Sequence, residues 1–298
     1  MVAALAASSL LVRPPQPGVD TRPAEVPTSP PTLRSADAVL SAPVSEIATG
    51  SASAAEGAVR LGGPRPASTC QRIAYSVGAA TQATQVVIVA PPTMTSTSAA
   101  VQLAALTPRG WECGPILAAR IGRNGVRPLM QRRSGDGTTP AGVFPLGEMT
   151  AWDGERFSVF GNDPDPGVTA GNYRDVRTGD CFGATPNHPD YGHLVYRSAA
   201  DCPGPDDEYL PRYGGTYAHA ALIGANMEPE VSGDAPGEIP YAAAIFLHRH
   251  SFDATGASKP TSGCVSLQMS DLVSVLRSMR RGVVFAIGTA DWLLAGSW

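Results

Sequence analysis

No aromatic residue occurs between Met1 and Thr69, and a chain without large apolar side chains cannot bury enough surface to offset the entropy of ordering it. The same stretch carries Pro14-Pro15-Gln16-Pro17 and Pro27-Thr28-Ser29-Pro30-Pro31, then a tract of Ala, Ser and Gly. It is read as a disordered tether over 1–69, so the folded body must come from the residues beyond it. Its opening, Val2 to Val12, resembles the apolar part of a secretory signal but lacks preceding positive residues and is too short to span a bilayer. No apolar run elsewhere reaches spanning length, so no membrane-spanning segment is expected.

The five cysteines are Cys70, Cys113, Cys181, Cys202 and Cys264, with no C-x-x-C among them. In an exported protein the first four would form two disulfides in one of three connectivities. Sequential pairing, Cys70 with Cys113 and Cys181 with Cys202, is the simplest, and it leaves Cys264 free. With a net charge of −4 and a single lysine, Lys259, the 298-residue chain has no excess of positive charge for holding nucleic acid. It shows no nucleotide or redox cofactor motif, so no cofactor is expected.

Beyond Cys70 the pattern is mostly β. Candidate strands are Gln85 to Ala90, Gly142 to Leu146, Tyr217 to Ile223, Ala243 to His248 and Val283 to Ile287, separated by Gly, Pro, Asn and Asp. One helix is predicted near Thr97 to Leu106. A stronger one starts at Ser270 as N-cap, carries Leu272, Val273, Leu276 and Met279 at helical spacing, and stops at Gly282.

The run Pro260-Thr261-Ser262-Gly263-Cys264-Val265 lies a short loop after His248. A thiol of ordinary pKa is protonated at neutral pH and needs a base or a neighbouring positive charge to become a nucleophile. A histidine supplies either. In a strand His248 and His250 project from one face; His248 is favoured because it directly succeeds the apolar Ile245-Phe246-Leu247, and His250 is the alternative base. Gly263 permits a sharp turn whose amides, its own and that of Cys264, are candidate oxyanion donors. Thr261 and Ser262 are positioned to orient that turn through hydroxyl-backbone bonds.

This arrangement resembles the catalytic signature of the L,D-transpeptidase (YkuD-type) family, in which a histidine precedes a Ser/Thr-x-Gly-Cys motif. Thr139-Pro140-Ala141-Gly142-Val143-Phe144-Pro145-Leu146-Gly147 is similar to that family's Thr-Pro-x-Gly-x-Phe strand. The chain departs from the pattern at Ser262, where His or Lys is common, and at Ser266, where Arg or Asn is common.

The resemblance covers roughly 115 to 288 and implies a β-rich α+β fold: a YkuD-like β-sandwich catalytic domain with one helix after the cysteine. The tether and a 70–114 extension would precede it, 151–240 would be an irregular insertion or lid, and 289–298 a C-terminal tail. The implied activity is peptidoglycan cross-linking at stem peptides through a cysteine acyl-enzyme, with carboxypeptidase activity when water takes the acyl group. Cys264 would be nucleophile, His248 the base, and Gly263 and Ser262 part of the oxyanion turn. Carbapenem-type β-lactams would acylate the cysteine, and the protein would work outside the cytoplasm, in the cell wall or a periplasm-like space. Tyr217 and His219, alternating on one strand face, are candidates for lining the cleft.

His188 and His193 around Asp190 are read as loop residues, not metal ligands, and no metal is expected. Two other readings stand beside the leading one: another thiol acyltransferase or peptidase, and an inactive envelope protein that binds peptidoglycan.

Overall fold

The computed structural model describes residues 67–202, 204–227 and 238–298. The signal-like opening and the Pro-rich tract up to residue 66 lie outside these residues. The strands are β1 (Gln85–Ala90), β2 (Ser98–Thr107), β3 (Gly110–Cys113), β4 (Leu117–Arg120), β5 (Val126–Pro128), β6 (Thr139–Pro145), β7 (Met149–Thr150), β8 (Arg156–Phe157) and β9 (Val159–Gly161). They continue with β10 (Tyr173–Asp175), β11 (Asp180–Phe182), β12 (Leu194–Tyr196), β13 (Glu208–Tyr209), β14 (Ala220–Leu222), β15 (Phe246–Arg249), β16 (Val265–Leu267) and β17 (Val284–Ile287). Three α-helices accompany them among the described residues: α1 (Thr69–Thr81), α2 (Met269–Ser278) and α3 (Ala290–Leu294). The expected β-rich character is therefore present.

Twelve strands form one sheet in the order β10-β9-β14-β15-β16-β4-β2-β1-β17-β6-β5, with β3 added beside β2. A bridge between Leu146 and Ile223 joins the chain just past β6 to the chain just past β14, so the sheet folds back on itself. Its inner face and α2 share one core: Val87, Val89, Val101, Leu247, Val265, Leu267 and Phe285 from the strands, with Leu272, Val275 and Leu276 from the helix and Met279 just past its end. Strand alternation sends the neighbouring residues outward, where they build two further cores. Val86, Ile88 and Ala286 meet α1 and α3. Phe160, Ala220, Leu222 and Phe246 meet Phe157 and the aromatic and aliphatic residues of the 151–240 segment.

Two elements overturn expectations. The stretch expected to be helical near Thr97 to Leu106 is β2, paired antiparallel with β1 over six residues from Gln85↔Ala105 to Ala90↔Ala100. Alanine favours helix by local propensity, but cross-strand pairing and alternate burial decide the outcome. Conversely, α1 occupies the junction expected to be tether and β-rich extension: Ser68 caps it, its hydroxyl accepting from Gln71 N while Gln71 Oε1 accepts from Ser68 N. Cys70, Ile73, Ala74 and Val77 form its buried stripe.

The N-cap of α2 is Gln268 instead of Ser270, and no side chain caps it. The last residues are not a loose tail either, since α3 is capped by Thr289 and buries Leu293. Because β1 to β3 belong to the main sheet, a boundary at 115 falls between strands that pair with one another.

The disulfides pair as expected, Cys70 with Cys113 and Cys181 with Cys202, and Cys264 is free. Cys70–Cys113 ties α1 to the end of β3 across a separation of 43 residues. Removing it by Cys70→Ser with Cys113→Ser is expected to cost about 4 kcal/mol on chain-entropy grounds, measured by urea unfolding. Thiol titration of the unfolded, unreduced wild type should return one thiol.

Candidate active site

β15 and β16 run parallel, with Leu247 opposite Val265 and His248 opposite Ser266. Leu247, Val265 and Leu267 point into the central core, so Phe246, His248, Cys264 and Ser266 occupy the other face. Cys264, just before β16, lies beside Phe246, whose amide donates to its sulfur at 3.4 Å. The thiol in turn donates to the Ala244 carbonyl at 3.2 Å. His248 is one diagonal step along the same face, and among the described residues no hydrogen bond joins imidazole to sulfur.

The imidazole is held from two sides. Its Nδ1 lies 2.6 Å from the Arg249 carbonyl; a carbonyl only accepts, so Nδ1 carries the proton and Nε2 presents its lone pair. The ring of Tyr217 packs edge-on against it, centroids 5.5 Å apart. Burial pushes the His248 pKa down to about 4, so the ring is neutral near pH 7. His250 sits farther from Cys264, with Nδ1 2.9 Å from the Ser266 hydroxyl.

The turn before Cys264 is tied by Thr261, whose hydroxyl donates to the Cys264 carbonyl at 2.6 Å and accepts from the Gly263 amide at 3.2 Å. The Gly263 amide is thus engaged and, in this arrangement, not free to serve an oxyanion. Gly263 has φ +155°, and a Cβ there would lie 3.1 Å from the Thr138 carbonyl, so both backbone and space favour glycine. Ser262 accepts a hydrogen bond from Arg123. The hydroxyl of Thr139 also lies 3.5 Å from the Cys264 carbonyl. The two sequence runs that carry the family resemblance, 125 residues apart at this contact, therefore meet at the cysteine.

Cys264 opens onto a cleft of about 270 Å³. One side is formed by Arg132, Ser262 and Gly263; another by Ala184, Asp206, Asp207, Glu208 and Tyr213 from the 151–240 segment. That segment, stapled by Cys181–Cys202, therefore provides a wall of the cleft. Neither Tyr217 nor His219 lines this cleft, and they do not share a face as expected. β14 begins only at Ala220; before it Tyr217 turns toward Phe246 and His248, whereas His219 Nδ1 lies 3.0 Å from the Tyr173 hydroxyl. His188 and Asp190 are loop residues, the amide of Asp190 donating to His188 Nδ1 and its carboxylate pairing with Arg197.

Arg132 and Glu208 had no sequence signal, because only chain closure brings them to Cys264. Arg132 is buried, its guanidinium donating to the carbonyls of Thr138 and Tyr241. Glu208 accepts a hydrogen bond from the Tyr217 hydroxyl, and burial pushes its carboxyl pKa up to about 7 against the opposing effect of that bond.

Although Cys264 reaches the cleft, its surroundings are the aromatic and aliphatic residues of the outer core. Burial, reinforced by the Glu208 carboxylate, pushes its thiol up to about 12, while the Phe246 amide and Arg132 pull the other way. Burial wins. Moving the proton from this thiol to this imidazole costs on the order of 10 kcal/mol before the attraction between the resulting ions is counted. The resting pair is a neutral thiol and a neutral imidazole.

Comparison with family models, with curated proteins and with solved structures finds no match for this chain.

The titrating groups lead to two expected outcomes. Alkylation of Cys264 by iodoacetamide should rise about tenfold per pH unit between pH 7 and 10 without levelling, since only the thiolate reacts; a plateau near pH 8.5 would mean an ordinary exposed thiol. For His248, the folded pKa lies below the unfolded one, so stability is complete above pH 6.5 and falls as pH drops toward 4, by up to about 3 kcal/mol. His248→Gln should flatten that acid-side loss in urea unfolding measured across this range.

Proposed function

We propose that the chain is a cysteine-dependent acyltransferase of the L,D-transpeptidase type, acting on the stem peptides of peptidoglycan. The observation that supports this most is a free thiol at a cleft, on the same strand face as an imidazole whose tautomer leaves Nε2 as acceptor. The substrate class rests on the resemblance of the Thr139–Gly147 and Ser262–Val265 runs, which meet at Cys264.

In this reading Cys264 attacks the carbonyl of the stem-peptide bond before the terminal D-alanine. For this the sulfur has to leave the Ala244 carbonyl and reach Nε2 of His248. His248 takes the thiol proton as the C–S bond forms and returns it to the departing amine, whose C–N bond breaks. A neutral imidazole suits this role because it can accept. The high pKa of the resting thiol favours proton transfer concerted with attack over a preformed thiolate. An amine then resolves the thioester to give a cross-link, or water resolves it to give a shortened stem. The two disulfides and the signal-like start support placement outside the cytoplasm, and no described helix is long and apolar enough to cross a membrane.

A carbapenem should leave one covalent adduct on Cys264, read by intact mass. Cys264→Ala should abolish it while keeping the folded domain, and His248→Gln should slow its formation by about a hundredfold. Damage confined to His250→Gln would reassign the base. Wall binding without any adduct would point to a peptidoglycan-binding protein that is not an enzyme.

A further inference from the structure

His248 is not among the residues that line the cleft, through which whatever resolves an acyl group on Cys264 arrives. A proton acceptor within that lining would meet the nucleophile directly. Among the described residues, the cleft lining offers Arg132, which is a donor only, the phenol of Tyr213, and the carboxyls of Asp206, Asp207 and Glu208.

The three carboxyls differ. Asp207 Oδ1 is committed to the amides of Ala184 and Thr185 at 2.7 Å each, and its Oδ2, unpartnered among the described residues, is buried away from anything that enters the cleft. Asp206 is exposed, and solvent around it leaves its carboxylate without a fixed direction. Glu208 is half-buried and anchored through Oε2 by the Tyr217 hydroxyl, leaving Oε1 with no hydrogen-bond partner among the described residues. Tyr217 is itself fixed between Phe160, Phe246 and the His248 ring. One carboxyl oxygen is thus held rigidly while the other remains available, in a cleft that also admits the sulfur.

We propose that Glu208 is a second catalytic group of this cleft: the base that deprotonates the amine or water resolving the Cys264 acyl-enzyme, held in place by Tyr217. The inference rests on the acyl-enzyme reading above. As the nucleophile's N or O bonds to the thioester carbon, its proton passes to Glu208 Oε1. The tetrahedral adduct then collapses, the C–S bond breaks, and Glu208 returns that proton to the departing sulfur, restoring carboxylate and thiol. Protonation matters at this step because so basic a sulfur is a poor leaving group as an anion. The carboxyl is also matched to the task, since with a pKa of about 7 it is ionised above neutrality and can both take and return a proton there.

The groups facing it are Tyr217, Tyr213, Asp206, Asp207, Arg132 and Cys264; the hydrogen bond from Tyr217 favours its ionised form.

The test uses the full chain and p-nitrophenyl acetate, an activated ester that requires only a nucleophilic thiol and no stem-peptide recognition. Release of p-nitrophenolate reports acylation, and loss of the acetyl group from Cys264, tracked by intact mass with water or added glycinamide as acceptor, reports resolution. Glu208→Gln is expected to keep acylation, slow resolution about a hundredfold, and remove the rise of resolution through about pH 7. Tyr217→Phe keeps the carboxylate without its donor, so that rise should move to higher pH.

Unchanged resolution and pH profile in Glu208→Gln, or acylation falling together with resolution, would overturn the assignment. If that variant does not fold, an unshifted pH rise in Tyr217→Phe overturns it instead. Wild-type protein that never acquires an acetyl group on Cys264 would remove the nucleophile assignment and this one with it, whereas acetylation without carbapenem reactivity would touch only the substrate class.

Discussion

The parallel register of β15 against β16 is what the site depends on. With Leu247, Val265 and Leu267 in the central core, strand alternation leaves Phe246, His248, Cys264 and Ser266 no choice of face. A slip of one residue in β16 would turn the sulfur from the outer face into the central core. The register is anchored from beyond the strand by α2, whose Leu272, Val275 and Leu276 enter the same core. Core packing, and not any polar bond within the site, therefore sets which groups can meet.

Around that register the cleft is assembled from three distant parts of the chain. Thr138 and Thr139 crowd Gly263 and the Cys264 carbonyl. Arg132 brings a buried positive charge to one side, and the stapled segment brings carboxyls to the other. The opposing charges act on the thiol in opposite directions, and desolvation, the largest effect, adds to that of Glu208. The thiol is therefore held in its protonated form.

Much of this was legible in the residues, and where it was not the reason is physical. The β-branched run Gln85 to Ala90 and the closing strand at β17 declare themselves because apolar β-branched residues pack well on a pleated surface. Counting left three disulfide connectivities, and the sequential one, taken as the simplest, is the one formed. The β2 segment misleads because Ala-rich sequence favours helix locally and only pairing with β1 reverses it. Helix α1 was readable after all: Ser68-x-x-Gln71 is a capping box, and Cys70, Ile73, Ala74 and Val77 keep helical spacing behind it. Cys264 and His248 stood out through their residue types and spacing, but Arg132 and Glu208 could not, since one of two adjacent Arg residues before a Gly-rich turn and a Glu in an acidic run carry no mark of the cleft they close.

The protonated state of Cys264 has a consequence for the chain as a whole. Disulfide exchange proceeds through the thiolate, and at neutral pH a thiol with a pKa of about 12 offers almost none. The odd cysteine can therefore share one molecule with Cys70–Cys113 and Cys181–Cys202 without shuffling their partners, and the same apolar packing that holds its proton keeps the covalent framework in its native pairing.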